Sequence, residues 1–384
     1  MKRHIHLTAL LALAAPALLW ANPQAPAPNR QIAAIQPPKI QLAILLDTSN
    51  SMDGLIDQAR QQLWQAVNEF SRAKRDGMTP ALEVAVYEYG NTGIDVQQGH
   101  VRQVVALTRE LDKVSEALFS LTTNGGDEYC GHVIAQAVNH LQWSTSPNDV
   151  KAIFIAGNEP FTQGPTPFTE AIAGAKGRGI VVNTIHAGDY QTGLSQGWQH
   201  GALLAGGNYM SIDHNQAVVH VEAPQDDEIA RLNARLNETY IPYGKEGAAG
   251  AARQQEQDSK SSGVSIGLLA ERAKSKATAL YDNSGWDLVD AVEAGEADLD
   301  EMQPDALPEE MQAMTAAARK SFVDKKSKQR AELKTKIVEL GKQRDAYVAE
   351  QRKARAEESD DTLNEALTES VRKQAANHNF VFTE

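Results

Sequence analysis

The sequence predicts an α/β fold: a doubly wound, mainly parallel sheet followed by an α-helical C-terminal region. Short runs rich in Val, Ile and Ala, as long as buried strands, alternate with helical segments between residues 40 and 212. Such alternation is typical of parallel strands that are joined by right-handed helical crossovers. Beyond residue 222 the strand-like runs stop, and charged segments with helical periodicity follow.

The N-terminal part differs in composition from the rest of the chain. A short basic end is followed by an apolar run over residues 7–19 and by small Ala21, which predicts a cleavable signal peptide over residues 1–21. An uncleaved membrane anchor is the alternative. Five prolines within residues 22–38 indicate an extended linker. We therefore expect a periplasmic or secreted protein.

The composition limits the possible functions. The formal net charge is −13 at pH 7, so nucleic acid is not an expected partner, whereas divalent cations are compatible with this charge. The single cysteine, Cys130, cannot form an internal disulfide and is expected to be a buried apolar residue. No transmembrane helix is predicted, because no apolar run is long enough. No hydrolase, phosphate-loop or zinc-protease motif occurs, so the chain is not predicted to be an enzyme.

The strands and helices of the first domain can be assigned in order. Strands are predicted at residues 41–46, 81–88, 100–107, 150–156, 179–186 and 209–212. Helices are predicted at residues 52–73, 110–121, 132–143, 168–178 and 198–205. No helix separates the second strand from the third, so these two are expected to be antiparallel neighbours. Gly179 is expected to end the preceding helix in a left-handed conformation.

Residues 223–384 are predicted to be helical and partly like a coiled coil. Helices are expected at residues 225–238, 264–281, 287–294 and 360–376, with one or two long helices within 309–356. Residues 247–263, rich in Ala, Gln, Ser and Gly, are expected to be flexible. The long segment is rich in Lys and Arg, and a solvated face of a coiled coil or hairpin is the simplest interpretation. Contacts with nucleic acid, anionic lipid or the acidic first domain are alternatives, and a homo-oligomer through these helices is possible.

The most informative stretch is the loop after the first strand. Asp47, Ser49 and Ser51 lie within five residues, between an apolar strand and a helix. Open α/β sheets bind ligands at this carboxyl end of their strands. One carboxylate and two hydroxyls are hard donors, which suit Mg²⁺, Mn²⁺ or Ca²⁺. Alternatively, these side chains cap the following helix without any metal.

This Asp-x-Ser-x-Ser pattern resembles the metal-ion-dependent adhesion site of von Willebrand factor A domains, and the resemblance covers residues 39–222. In that family the two serines bind the ion directly, and the aspartate binds it directly or through water. A carboxylate of the binding partner often completes the coordination. The resemblance implies a metal-dependent protein-binding, adhesion or assembly module of the bacterial envelope, whose unidentified protein ligand binds through a carboxylate.

Two further loops supply a threonine and an aspartate in that family, and this sequence departs from the pattern in the third loop. The second loop resembles a Gly-Gly-Asp variant, in which Thr123 or Asp127 is the expected donor and a solvated turn is the alternative. In the third loop Asn158 and Glu159 replace the family's Thr-Asp-Gly, and either side chain could substitute for the aspartate. The complete set of predicted metal ligands is Asp47, Ser49, Ser51, Thr123, Asp127, Asn158 and Glu159.

Three other interpretations remain open. The altered third loop favours a structural scaffold whose metal site is vestigial. An enzyme of an unrecognised class would have its site near the same edge of the sheet. The third is an accessory subunit of a cytoplasmic ATPase, against which the signal peptide argues. His186 lies close to Asp189 in sequence, but a hydrogen-bonded histidine at a strand end is a simpler interpretation than catalysis.

Overall fold

The computed structural model describes residues 37–354, except 217 and 219, and residues 363–383. The predicted signal peptide over residues 1–21 and nearly all of the predicted linker lie outside the described residues. From Pro37 onward the described chain forms a single unit by its internal contacts.

A six-stranded sheet forms the centre of this unit. The strands are β1 (Lys39–Asp47), β2 (Ala73–Lys74), β3 (Ala81–Tyr89), β4 (Val101–Thr108), β5 (Val150–Gly157), β6 (Val181–Ala187), β7 (Tyr209–Ile212) and β8 (Val381–Phe382). The order in the sheet is β4-β3-β1-β5-β6-β7, while β2 and β8 pair separately. Every neighbouring pair of the large sheet is parallel except β3 and β4. The predicted mainly parallel sheet is therefore confirmed. The second and third predicted strands, which correspond to β3 and β4, are antiparallel neighbours as expected.

The helices follow the predicted order within the described residues. They are α1 (Asp53–Phe70), α2 (Leu111–Ser120), α3 (Cys130–His140), α4 (Phe168–Gly177), α5 (Tyr190–Ser195), α6 (Trp198–Ala205), α7 (Asp226–Asn237), α8 (Gly247–Val264), α9 (Ile266–Lys276), α10 (Leu288–Glu293), α11 (Glu309–Gln312), α12 (Ala316–Ala354) and α13 (Leu363–Ala376). Short 3-10 turns occupy Val96–Gln98 and Pro304–Ala306. Gly179, at φ 67°, follows α4 in the predicted left-handed conformation. The short helix α5 was not predicted.

Alternating side chains of β1 divide the core into two layers, as expected for a strand whose successive residues face opposite sides. Leu42 and Ile44 pack in one cluster with apolar residues of α1, α2, α9 and α13. Ala43 and Leu45 pack in a second cluster with residues of α3, α4 and α6. The sheet is therefore covered on both faces, and its carboxyl edge remains available for loops.

Helix α13 covers the sheet although it follows the long helical region in sequence. Its buried residues Leu367, Val371 and Ala375 belong to the same cluster as α1 and β1. Immediately after α13, strand β8 pairs with β2, so that Phe382 lies opposite Ala73. Of the helices beyond residue 222, where we predicted a domain boundary, α7, α9, α12 and α13 place residues in this core, whereas α10 and α11 pack in a separate apolar cluster.

The prediction that residues 247–263 are flexible was wrong, because this segment forms α8. One side of this helix, made of polar and small residues, is buried against neighbouring elements. The Ser115 hydroxyl of α2 donates to Gln257 Oε1 at 2.8 Å. Gly250 lies against Trp286, so close that a Cβ at this position would be 2.3 Å from the indole Cγ. The absence of bulky side chains therefore reflects close packing in α8.

Helix α12 is one continuous helix of 39 residues. It packs against α7, α9 and α10, and its buried apolar side chains include Val323, Leu333 and Ile337. Two of its arginines are buried in ion pairs with acids of other helices: Arg330 with Asp287 and Arg344 with Glu271. Part of its basic character therefore serves internal pairing. In the described part of the chain, no helix has the length and apolar character to cross a membrane.

Candidate metal centre

Three loops meet at the carboxyl edge of the sheet: residues 48–52 after β1, residues 121–129 before α3, and the loop after β5. Strand β1 lies between β3 and β5 and is parallel to both, so their carboxyl ends lie side by side. The Thr48 N–H donates to the Tyr89 carbonyl at 2.9 Å, and the Thr48 carbonyl accepts from the Asn124 N–H at 3.0 Å. The fold therefore brings the three predicted loops together.

The carboxylate of Asp47 lies at the centre of this edge. The residue is fully buried, and its Oδ1 accepts a hydrogen bond from the Ser49 N–H at 2.7 Å. Two glycines leave room for it. A Cβ at Gly90 would lie 2.8 Å from Asp47 Oδ1, and a Cβ at Gly157 would lie 3.2 Å from Asp47 Oδ2. Gly90 also has φ +80°, which favours glycine, so this close approach depends on residues without side chains.

A second carboxylate, that of Glu128, converges on the same place, and we did not predict it. Glu128 is only 3% exposed. A Cβ at Gly90 would lie 2.9 Å from Glu128 Cγ, so Glu128 and Asp47 face each other across this glycine. The Glu128 N–H donates to Gln163 Oε1 at 2.6 Å, which fixes the main chain at this position.

The two carboxylates shift each other's proton affinity. Burial, reinforced by the neighbouring Asp47 carboxylate, raises the pKa of Glu128 well above its usual range. Burial also raises the pKa of Asp47, although the nearby Glu128 side chain and the Ser49 N–H oppose the shift. The Ser49 hydroxyl lies near both groups and lowers the pKa of each. Two ionised carboxylates this close and this buried need a positive counter-charge.

Four oxygen atoms at this edge are buried without a hydrogen-bond partner in the described structure: Asp47 Oδ2, Ser49 Oγ, Glu128 Oε2 and Asn158 Oδ1. Buried polar atoms nearly always have a partner, and each one left without costs roughly 1–3 kcal/mol. All four are hard oxygen donors, so the residues present fit a hard divalent cation. No three His, Cys, Asp or Glu side chains of the described residues cluster for metal binding, so an ion here also needs the hydroxyl and amide oxygens.

The predicted ligands of the first and third loops lie at this edge but differ in exposure. Ser51 is exposed, and its hydroxyl oxygen accepts from Asn158 Nδ2 at 3.0 Å. This bond ties the two loops together and leaves Asn158 Oδ1 without a partner. Glu159 is exposed, but its charge raises the pKa of Glu128. Ser51 and Glu159 therefore lie at the exposed rim of the site, and Asn158 lies between this rim and the buried carboxylates.

The predicted donors of the second loop point away from the buried carboxylates. The Thr123 hydroxyl donates to Asp53 Oδ1 at 2.6 Å, and exposed Asp127 accepts from the Tyr129 hydroxyl at 2.9 Å. The geometry favours Glu128 as the acid of this loop. No sequence signal separates these two adjacent acids, because residues 128–130 form a tight turn into α3, in which the Cys130 N–H donates to the Glu128 carbonyl at 3.1 Å.

The sheet order, the antiparallel edge strand and the Asp-x-Ser-x-Ser loop at the end of central strand β1 occur together. The chain has a von Willebrand factor A-like fold. The loop lies at the switch point of the sheet, where β1 has β3 on one side and β5 on the other. Ligands of open α/β sheets bind at such points.

No family model and no curated protein matches this sequence. Among solved structures, BatB from Bacteroides thetaiotaomicron, a conserved hypothetical protein, is 16% identical over 45% of this chain and 90% of its own, with TM-score 0.34. The VWA domain of SpRpn10 is 17% identical over 47% of this chain and 99% of its own, with TM-score 0.33. Proximal thread matrix protein 1 from the mussel byssus, with a zinc-occupied MIDAS motif, is 10% identical over 46% and 42%, with TM-score 0.31.

His186 does not form the hydrogen bonds that we expected. It is buried at the end of β6, and neither ring nitrogen has a partner in the described structure. Its ring lies 5.8 Å from that of Trp198. Asp189 instead caps α5, where its Oδ1 accepts from the Thr192 N–H at 2.9 Å. In the described structure, His186 is therefore held by packing, and no carboxylate forms a hydrogen bond with it.

Proposed function

We propose that this chain is a metal-ion-dependent protein-binding module that acts in adhesion or assembly at the bacterial envelope. The observation that carries the proposal is the group of four buried oxygens without partners at the carboxyl edge of the sheet. Asp47, Ser49 and Glu128 would hold a divalent cation, with Mg²⁺, Mn²⁺ or Ca²⁺ as the candidates, and Asn158 would contribute its amide oxygen. The bound ion would neutralise the two carboxylates and offer a coordination position to a partner.

The chain's own residues shape the opening to which a partner would bind. The Ser51–Asn158 hydrogen bond fixes one side of the rim, and the Thr123–Asp53 hydrogen bond fixes the other. Both bonds lie at the exposed surface, so they order the rim before any partner arrives. Such preorganisation lowers the entropic cost of association. The buried carboxylates below the rim remain inaccessible to a bulky ligand unless it approaches through this opening.

The envelope setting belongs to the proposal and rests on the signal-peptide pattern over residues 1–21. Fractionation of the producing cells, with N-terminal sequencing, tests it directly. We expect the protein in the periplasm or medium with Asn22 as its first residue. A cytoplasmic protein that retains residues 1–21 would instead support the accessory subunit of an ATPase.

Thermal unfolding with and without divalent cations tests the metal site. We expect Mg²⁺, Mn²⁺ or Ca²⁺ to stabilise the parent, by about 2.7 kcal/mol at a hundredfold excess over its dissociation constant. Asp47→Asn should abolish this response, because it removes the central charge. Asp127→Asn is the matched control, since this acid lies next to Glu128 but points outward.

The partner is sought by affinity capture from envelope extract, with Mg²⁺ or with chelator. We expect a protein that is retained by the parent and by Asp127→Asn, and that is released by chelator. No cation response in the parent would contradict the proposal and favour a structural scaffold with a vestigial site. A partner retained equally by Asp47→Asn would show that binding does not depend on the ion.

A further inference from the structure

The candidate centre contains two carboxylates of this chain, and these determine the net charge of the site once an ion is bound. Asp47 and Glu128 are both buried and both converge on the space beside Gly90. Carboxylates that ligate a cation are ionised. Their two negative charges therefore balance a divalent cation completely. A bound ion that is already balanced attracts an incoming carboxylate much less strongly than one with a residual positive charge.

The rim adds more negative charge. Asp53, at the start of α1, and Glu159, in the loop after β5, are exposed beside the opening. The Thr123 hydroxyl holds Asp53 in place, and the charge of Glu159 is felt at Glu128. None of the loop residues 48–52, 122–129 and 158–164 is Lys or Arg. A carboxylate that approached the ion would therefore meet like charges without a compensating base from these loops.

From these charges we propose that Glu128 determines which chemical group of a partner the site binds. The partner binds through a basic segment instead of a carboxylate. This inference rests on the proposed metal-dependent binding function and replaces the acidic partner group that the family resemblance implies. A main-chain carbonyl or hydroxyl oxygen of the partner would fill the open position at the ion. Its Lys or Arg side chains would pair with Asp53 or Glu159.

Two labelled peptides serve as probes: acetylated (Gly-Lys)₄ and acetylated (Gly-Glu)₄. Their binding to the Mg²⁺-saturated full chain is measured by fluorescence anisotropy at physiological salt, with a chelator-treated sample beside it. We expect the parent to bind the lysine peptide at least about tenfold more tightly than the glutamate peptide. Glu128→Gln should reduce this ratio by about tenfold, because the ion regains a net positive charge.

A second variant keeps the experiment decisive if Glu128→Gln cannot be saturated with Mg²⁺. The double variant Asp53→Asn/Glu159→Gln leaves the buried carboxylates intact and should lose affinity for the lysine peptide. Glu309→Gln, at an exposed acid of α11 outside these loops, is the control and should bind as the parent does.

The outcomes separate this inference from the proposed function. A parent that is stabilised by Mg²⁺ but prefers the glutamate peptide would overturn the inference and leave the metal site standing. Equal loss of lysine-peptide binding in Glu309→Gln and in the rim variant would also overturn it, because only general charge would then matter. A parent without any Mg²⁺ response would contradict the proposed function itself, and with it this inference.

Discussion

Arg272 of α9 and Asp112 of α2 form a two-armed ion pair in the protein interior. Their oxygen–nitrogen distances are 2.5 and 3.2 Å, and neither residue is more than 3% exposed. Arg272 also pairs with Asp258 of α8 and lies 4.6 Å from the Trp64 ring of α1. One guanidinium thus joins helices that cover the sheet to helices that follow residue 222.

Replacing this arginine should destabilise the protein strongly. Arg272→Met leaves buried Asp112 without its cation and leaves Asp258 with Lys276 alone, and we expect a loss of about 3–5 kcal/mol in the free energy of unfolding. Urea denaturation measures the loss. Arg231→Met is the control, because Arg231 forms an exposed pair with Glu228 and should change stability by less than about 1 kcal/mol. Similar effects of both variants would contradict the structural role of Arg272.

Two glycines of α8 should respond in opposite directions to the same substitution. Gly250→Ala forces a Cβ against the buried Trp286 ring and should cost about 1–3 kcal/mol. Gly263→Ala lies in the same helix with no atom within 4 Å of a Cβ, and it should stabilise by up to about 1 kcal/mol. Thermal unfolding of both variants checks this pair. If residues 247–263 were flexible, as the composition suggested, neither substitution would matter much.

Stability should fall in acid because of Asp258. Burial alone would raise the pKa of Asp258, but Lys276 and Arg272 hold it well below its ordinary value of 3.8. The unfolded chain therefore binds this proton more readily, so the stabilisation is complete above about pH 5 and is lost progressively as the pH falls further. Urea unfolding between pH 7 and 3 measures this slope.

Asp258→Asn is the control variant for this pH dependence. It should be less stable than the parent at pH 7 by about 2–4 kcal/mol, since Lys276 and Arg272 lose their shared counter-charge. Between pH 5 and 3, its free energy of unfolding should also fall by less than that of the parent. An acid slope as steep as that of the parent would assign the effect to other carboxyl groups.

The metal-free protein should become more stable when one of the two buried carboxylates is neutralised. In chelator, Glu128→Gln removes a buried group whose ionised form is disfavoured by burial and by Asp47, and we expect a gain of at least about 1 kcal/mol at pH 8. The pKa of Glu128 is raised on folding. Protonated Glu128 therefore favours the folded parent at low pH, and this contribution to its stability is lost as the pH rises. Chelated parent and variant should therefore differ less at pH 5 than at pH 8. A variant less stable than the parent at both pH values would contradict this electrostatic explanation.

The sheet could be predicted from sequence because its strands are buried on both faces. Runs such as residues 150–156 contain almost only apolar side chains, so their identity as parallel strands needs no knowledge of their partners. Helix α8 was missed because its buried side is made of Gln, Ser and Gly, whose partners in α2 and beside Trp286 are distant in sequence. Periodicity of apolar residues does not record such contacts.

The position of the second carboxylate could not be read from spacing alone. Asp127 and Glu128 are adjacent acids in an irregular loop, where no periodicity tells which side chain faces the interior. Asp127 fits the family pattern better, yet it bonds to Tyr129 at the surface while Glu128 is buried beside Asp47. The cover that α13 provides was equally inaccessible, because its contacts with the sheet span more than 150 residues of chain.

The placement of α13 and β8 has a consequence for how the nascent chain acquires its structure. The part of one apolar face that α13 covers remains open until residues 363–383 have left the ribosome, and the Thr383 N–H donates to the Arg72 carbonyl across 311 positions. Closing so long a loop is slow, because its entropy must be lost before the contacts form. Until then the chain would offer hydrophobic surface to chaperones and to other unfinished copies of itself.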